Sequence, residues 1–179
     1  MKKLLCLLLA AAMLLTLMGC TAPQQEETPP PAPLEVGYSK KDITPEGPIP
    51  MDDGWSTEIL DHLYAITVAF RDEEGNIYIH VVTDLSWGGM ADPGVAVSYG
   101  VCDMVRAAAE SELGLDASYI TVSGTHNHSQ VSYGSKEKAA DDWRKQVLIP
   151  QIMASIREAM KDLSPAQMYI GRTKTQKLN

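Results

Sequence analysis

The sequence is poor in basic side chains, and this shortage argues against one large class of partners. Its 179 residues include 15 lysines and arginines against 23 aspartates and glutamates. Lys2 and Lys3 fall in the predicted signal described below, so the exported chain carries 13 basic and 23 acidic side chains, a formal charge of −10. Phosphate backbones repel such a chain, and no basic patch with interleaved aromatic residues is present. We therefore expect no nucleic-acid partner.

Cysteine is also scarce, which argues against a disulfide-stabilised fold. Of the three cysteines, Cys6 falls in the predicted signal and Cys20 at its processing site, which leaves Cys102 alone. No internal disulfide can then form. Cys102 falls on the apolar side of a predicted helix, where a buried structural thiol is favoured over a reactive one.

Long apolar runs are missing except at the N-terminus. Lys2 and Lys3 precede an apolar run at residues 4–17, which is shorter than the roughly 20 residues that a membrane-spanning helix needs. A small residue and then Cys20 follow, which is the pattern of a lipoprotein processing site. We predict that residues 1–19 are a cleavable signal and that Cys20 is lipidated. The alternative is an ordinary secretory signal with an incidental cysteine.

The predicted lipid anchor gives the chain a location and a domain organisation. Lipid chains on Cys20 would hold the protein at the extracytoplasmic side of the cell membrane or at an outer membrane. Residues 20–33 comprise this cysteine and a proline-rich polar tether, which extends by roughly 3.1 Å per residue where it is polyproline-like. A single folded domain is expected over residues 34–179.

The hydrophobic pattern of this domain alternates between strand and helix without an internal repeat. Strands are predicted at residues 63–70 and 77–84, which flank a polar turn and form a hairpin, and also at 119–123 and 167–171. Strands interleaved with helices predict an α/β domain, with a layered, mixed β-sheet and helices.

Two helices are predicted between these strands. The first begins at Asp92-Pro93 and ends at Gly114, because proline favours the first helical position and glycine follows helix ends. The second is longer and ends near Leu163, and Pro150 should break or kink it near Ile149.

His126 and His128 are the residues that indicate chemistry. They follow a predicted buried strand, and residues two apart on an extended chain point to one side, so both imidazoles can converge. Imidazole is a good zinc ligand, and a catalytic zinc usually has three protein ligands and a water. The alternative is a structural or incidental pair. Asp84, which ends a predicted strand, could orient a ligand histidine or could serve as a turn residue.

Other assignments of the histidines are weaker. A metallo-β-lactamase-like site needs an aspartate and a histidine soon after the pair, where Gln130 and Val131 stand. A cupin-like site needs a glutamate a few residues on, where Ser132 and Tyr133 stand. His62 and His80 have no second ligand at metal spacing and are interpreted as surface or structural residues.

Five segments together resemble the neutral/alkaline, non-lysosomal ceramidases and their bacterial relatives. In order they are residues 36–45 (VGYSKKDITP), like the family's G-x-x-x-x-D-I-T-P opening; 61–65 (DHLYA), like D-x-L-Y-A; 81–85, like its strand ending in aspartate; 123–129 (SGTHNHS), like S-A-T-H-T-H-S; and 164–166 (SPA) with Gly171 and Leu178-Asn179, like P-A … G … L-N.

The resemblance implies a zinc-dependent hydrolase of N-acyl amide bonds in ceramide-like lipid amides. It implies that His126 is the first zinc ligand and that His128 lies beside the metal and helps to polarise the amide. This chain departs from the family where Gln130-Val131 replaces the usual Gly-Pro, which alters the loop that shapes the substrate pocket.

The family also places a histidine, a glutamate and a tyrosine ligand far downstream, and none can be matched here. The resemblance therefore predicts the incomplete N-terminal part of a larger hydrolase domain, with little or no activity on its own. The alternative is a short, non-catalytic surface lipoprotein that uses the front of the fold as a binding or structural module.

Overall fold

The computed structural model describes residues 34–51, 54–86, 100–132 and 135–174. The predicted signal and tether, and the predicted helix start at Asp92-Pro93, lie outside these ranges. The strands are β1 (Leu34–Asp42), β2 (Pro50–Met51), β3 (Gly54–Trp55), β4 (Tyr64–Arg71), β5 (Ile77–Thr83), β6 (Ile120–Gly124) and β7 (Ser164–Ala166). The helices are α1 (Val101–Leu113), a 3₁₀ turn (Ala117–Tyr119), α2 (Lys138–Trp143), a π-helical turn (Arg144–Leu148) and α3 (Ile149–Lys161).

Five of the strands form one mixed sheet in the order β6-β5-β4-β1-β7. Strand β4 pairs antiparallel with both β1 and β5, β7 pairs antiparallel with β1, and β6 runs parallel to β5. A parallel pair needs a crossover connection, and α1 lies in the connection from β5 to β6. The prediction of an α/β domain with a mixed sheet and helices is therefore confirmed. Strands β2 and β3 form a separate two-stranded sheet.

One face of the sheet packs against the helices. Along β4 the small residues Ala65, Thr67 and Ala69 are fully buried, whereas the residues between them are only partly covered. Helix α3 lies against β1 and β4 and buries Ile152 and Ile156. This alternation is typical of a sheet with one covered face.

Several local predictions are confirmed. The hairpin forms with Ala65 opposite Thr83 and Arg71 opposite Ile77. Gly114 ends α1 in a left-handed conformation with φ of 65°, which glycine adopts without strain. The predicted strand at residues 119–123 begins one residue later, because the 3₁₀ turn precedes it. Cys102 is a buried free thiol in α1.

Pro150 changes the second helical segment without ending it. The residues before it form a π-helical turn in which the Ile149 N–H donates to the Arg144 carbonyl, and α3 begins at Ile149 with the proline in its first turn. Proline has no N–H, so a change of hydrogen-bond pattern on its N-terminal side accommodates it. None of the helices in the described ranges is long and apolar enough to cross a membrane.

The last predicted strand is misplaced. The strand is β7, and residues 167–171 have no regular structure. Ala166 pairs with Leu34, the first residue of β1, so residues beyond Ala166 have no partner strand within the part of the chain that the structure describes. The apolar side chains that suggested a strand, those of Met168, Tyr169 and Ile170, are exposed.

Candidate functional site

The two histidines of the predicted site lie just beyond the end of β6. The backbone N–H groups of Thr125 and His126 donate to the carbonyls of Thr83 and Leu85, which extends the parallel pairing of β6 with β5. The ring centroids of His126 and His128 are 4.8 Å apart, and the ring planes are inclined at 37°. The structure therefore brings the two imidazoles together, and both residues are exposed.

The backbone that brings them together differs from the one expected. Strand β6 ends at Gly124, and His126 has a φ of 66°, in the left-handed region that few residues other than glycine adopt. A turn, rather than the alternation of an extended strand, thus places the rings side by side. Strained backbone of this kind is concentrated at functional sites.

The loop that follows is fixed by hydrogen bonds to its own residues and to two other segments. Asn127 accepts from the Ser129 N–H at 2.8 Å, and the Gln130 side-chain amide donates to the Ser86 hydroxyl at 2.9 Å. The Ser132 N–H donates to the carbonyl of Pro50 at 2.8 Å. Gln130 is buried, so the position at which this chain departs from the ceramidase pattern serves here to attach the loop to the end of β5.

Asp84 holds the open end of the hairpin. Its carboxylate accepts from the Tyr64 N–H at 3.0 Å, and its own N–H donates to the Tyr64 carbonyl at 2.9 Å. Among the described residues, the hydrogen bonds of this carboxylate reach Tyr64 and neither His126 nor His128. The structure shows Asp84 as a residue that joins the end of β5 to the start of β4. Its role as an orienting partner of a ligand histidine stays a prediction.

A pocket of about 480 Å³ opens at the edge of the sheet where β1, β5 and β6 end and β4 begins. Four of the sequence segments that carry the ceramidase resemblance contribute to its wall, through Thr44, Leu63, Asp84 and Asn127. Apolar side chains also line it, among them those of Ile49, Met51, Ile59, Leu60 and Val131. His126 and His128 are not among the lining residues, although Asn127 between them is.

Sequence reasoning missed one pair of residues at this pocket. His62 lines the pocket, and its Nδ1 lies 2.5 Å from Oδ2 of Asp42 at the end of β1. The other carboxylate oxygen of Asp42 accepts from the Thr44 N–H at 2.8 Å. Asp42 belongs to the D-I-T-P segment, and its separation from His62 in the sequence gave no indication of contact.

His80 matches its interpretation as a surface residue, since it is exposed and contacts the Thr121 hydroxyl at 2.7 Å.

Hydrogen bonds keep Asp42 ionised. Burial raises the pKa of its carboxyl, but bonds from the side chain and backbone of Thr44 and contact with His62 outweigh this effect, so the pKa of Asp42 lies below its ordinary value. The segment is further fixed by Trp143, whose buried indole N–H donates to the Ile43 carbonyl at 2.8 Å.

The residues in the described ranges do not form a complete zinc site. They contain no group of three or more His, Cys, Asp or Glu side chains close enough to hold a metal ion. His126 and His128 supply two donors, whereas a catalytic zinc usually takes three protein ligands. The pair is therefore compatible with part of a metal site only.

The chain was compared with family models, curated proteins and solved structures, and none of the three comparisons returned a match.

Proposed function

We propose that this chain carries part of a zinc-dependent, ceramidase-like site for hydrolysis of N-acyl amide bonds in lipid amides. His126 would be a metal ligand, and His128 would lie beside the reacting amide. The observation that carries the proposal is the convergence of the motif segments: four stretches of sequence chosen for their resemblance to one family meet at one pocket, next to two facing imidazoles.

The proposal requires further metal ligands from outside the described residues, because it assigns only His126 to the metal and those residues contain no group of three or more possible ligands. Bound zinc would supply an acidified water and polarise the carbonyl. The chain's own contribution is positional. The turn at His126 holds the two rings 4.8 Å apart, and the pairing of Thr125 and His126 with the end of β5 fixes that turn on the sheet.

Lipid anchoring through Cys20 is part of the same proposal. The substrate of a lipid amidase lies in a membrane, and an anchor at Cys20 would keep the domain near it. The pocket suits a lipid-like molecule in composition, since apolar side chains make up much of its wall.

The test uses two substitutions in a longer version of this protein that supplies the further metal ligands. His126→Ala removes a metal ligand, so zinc content and N-acyl hydrolysis should fall together. His128→Ala should keep the zinc and lower turnover by about 10² to 10³, the usual cost of losing one electrostatic stabiliser. Zinc is measured by mass spectrometry of the purified protein, and hydrolysis with a fluorogenic N-acyl amide.

His80→Ala is the matched control, because it removes an exposed imidazole that lies on β5 away from the pair. It should retain both zinc and activity. If His126→Ala retained both as well, the assignment of the metal ligand would be withdrawn.

A second candidate is a non-catalytic binding module. It is favoured by the pocket itself, since neither histidine of the pair is among the described residues that line it. Cooperative unfolding of residues 34–179 in the absence of metal would support the module, whereas an aggregated or molten product would support part of a larger hydrolase.

A further inference from the structure

The contact between Asp42 and His62 has the geometry of a proton-transfer pair. A carboxylate on one ring nitrogen fixes the tautomer of a histidine and leaves the other nitrogen free to accept a proton. Here the carboxylate faces Nδ1 at 2.5 Å. Because an ionised carboxylate only accepts, we assign the hydrogen to Nδ1, which makes Nε2 the basic atom of the neutral ring. This is the arrangement that general-base catalysis needs.

Both members of the pair are held in place by other bonds. The Asp42 carboxylate also accepts from the Thr44 N–H at 2.8 Å, and the Thr44 hydroxyl accepts from the Leu63 N–H at 2.9 Å. The Ile43 N–H donates to the Leu63 carbonyl at 2.8 Å. The residue next to His62 is thus tied to the segment that follows Asp42, and the ring and the carboxylate are positioned relative to each other by backbone as well as by their own contact.

The pair lies at a cavity that can hold a substrate. His62 lines the pocket of about 480 Å³, beside the apolar side chains of Ile59, Leu60 and Leu63. No lysine or arginine of the described residues lines this pocket, whereas Glu58, Asp61 and Asp84 do. An anionic ligand is therefore disfavoured, and a neutral ester with an apolar group fits the wall.

We propose that His62, positioned by Asp42, is the general base of a hydrolytic site for small neutral esters, and that this activity does not depend on His126, His128 or zinc. This ester hydrolysis goes beyond the amidase activity proposed above and is tested independently of it. An ordinary exposed ion pair is the competing interpretation, because the two side chains are 58% and 47% exposed.

The proposed step is balanced without any further reactant. The Nε2 of His62 takes a proton from water while the water oxygen forms a bond to the ester carbonyl carbon. The bond from that carbon to the leaving oxygen then breaks, and the leaving alcohol takes the proton from Nε2. Ester and water thus become acid and alcohol, and His62 returns to its starting state.

Several charged or titratable groups lie around His62. These are Asp42, Tyr64 with its ring 6.4 Å from the imidazole, Lys40 over the Tyr64 ring, and the pocket residues Glu58, Asp61 and Asp84.

The test measures hydrolysis of p-nitrophenyl butyrate by the purified full-length chain with EDTA present. The wild-type rate should exceed the buffer rate. His62→Gln should lower the enzyme-dependent rate by about 10² or more. Asp42→Asn keeps the shape of the side chain but removes its charge, and should lower kcat by about tenfold with KM unchanged.

His80→Gln is the matched control, since it removes another exposed imidazole outside the pocket, and should behave as the wild type. Thermal unfolding of each variant identifies any loss of fold. A wild-type rate no higher than buffer, a His62→Gln rate equal to wild type, or complete inhibition by EDTA would each overturn the proposal. Failure of the zinc and amide measurements described above would leave this ester result standing.

Discussion

Gly37 offers the sharpest test of how the motif segments are built into the fold. A Cβ at this position would lie 1.9 Å from the carbonyl oxygen of Ala159 and 2.8 Å from the backbone nitrogen of Leu163. Real Cβ atoms essentially never approach another heavy atom below 3.0 Å, so α3 would have to retreat from β1 by at least about 1.1 Å. The obstructing atoms belong to the backbone and cannot rotate away. The glycine of the G-x-x-x-x-D-I-T-P segment is therefore required by packing.

The loss of stability in Gly37→Ala follows from the packing contacts that would be lost if α3 moved away from β1. Helix α3 buries Ile152, Ile156 and Ala159 completely. A gap of 0.5–1 Å already forfeits about a quarter to a half of the dispersion energy of a contact. Inserting a methyl group into a packed core costs about 1–3 kcal/mol, and restricting the unfolded chain returns about 0.4–1 kcal/mol. We expect the free energy of unfolding to fall by about 2–2.5 kcal/mol, near the upper end of the net range.

Urea unfolding followed by far-UV circular dichroism measures this change. Gly171→Ala is the matched control, because a Cβ there meets nothing within 4 Å, and its free energy of unfolding should stay within about 0.5 kcal/mol of the wild type. If Gly37→Ala were as stable as this control, the close contact between β1 and α3 would be wrong, and so would the structural explanation of the motif glycine.

Three further outcomes are expected. Cys20→Ala should abolish lipid labelling and release the chain from the membrane fraction, as measured by radiolabelled palmitate and fractionation. Gly114→Ala should lower the free energy of unfolding by about 1 kcal/mol in urea titration, because φ there is 65°. Hydrogen bonds from Lys41 and then Ser39 lower the pKa of Glu158, so its stabilising contribution is present at neutral pH and is lost as pH falls through that lowered pKa. Glu158→Gln should therefore lose less stability than the wild type between about pH 6 and pH 3.

Local patterns predicted most of the elements because the physics that forms them is local. The hairpin follows from two β-rich runs around a polar turn, and the end of α1 follows from Gly114. The last strand was misplaced because its position depends on a distant partner: Ser164 to Ala166 pair with the first residues of β1, and the more apolar residues after them do not. A strand at the edge of a sheet is located by its neighbour, which a local pattern does not reveal.

The site was predictable in part for the same reason. Two histidines separated by one residue were certain to be neighbours, and their rings are 4.8 Å apart. The left-handed backbone at His126 produces that arrangement. It could not be predicted, because glycine is the usual sign of such a backbone in a sequence and this position is a histidine. The contact of Asp42 with His62 joins the end of one strand to the loop before another, so only the pairing of β1 with β4 reveals it.

The topology of the sheet explains why the motif segments meet although they are far apart in sequence. Antiparallel pairing places the end of β1 beside the start of β4, and the start of β4 beside the end of β5. Parallel pairing then places the end of β6 beside the end of β5. The segments that follow β1, precede β4 and follow β5 and β6 must therefore share one edge of the sheet. Because the pocket, the facing imidazoles and the pair of Asp42 with His62 all lie at this edge, both proposed activities draw on the same arrangement of strands, and each depends on different side chains within it.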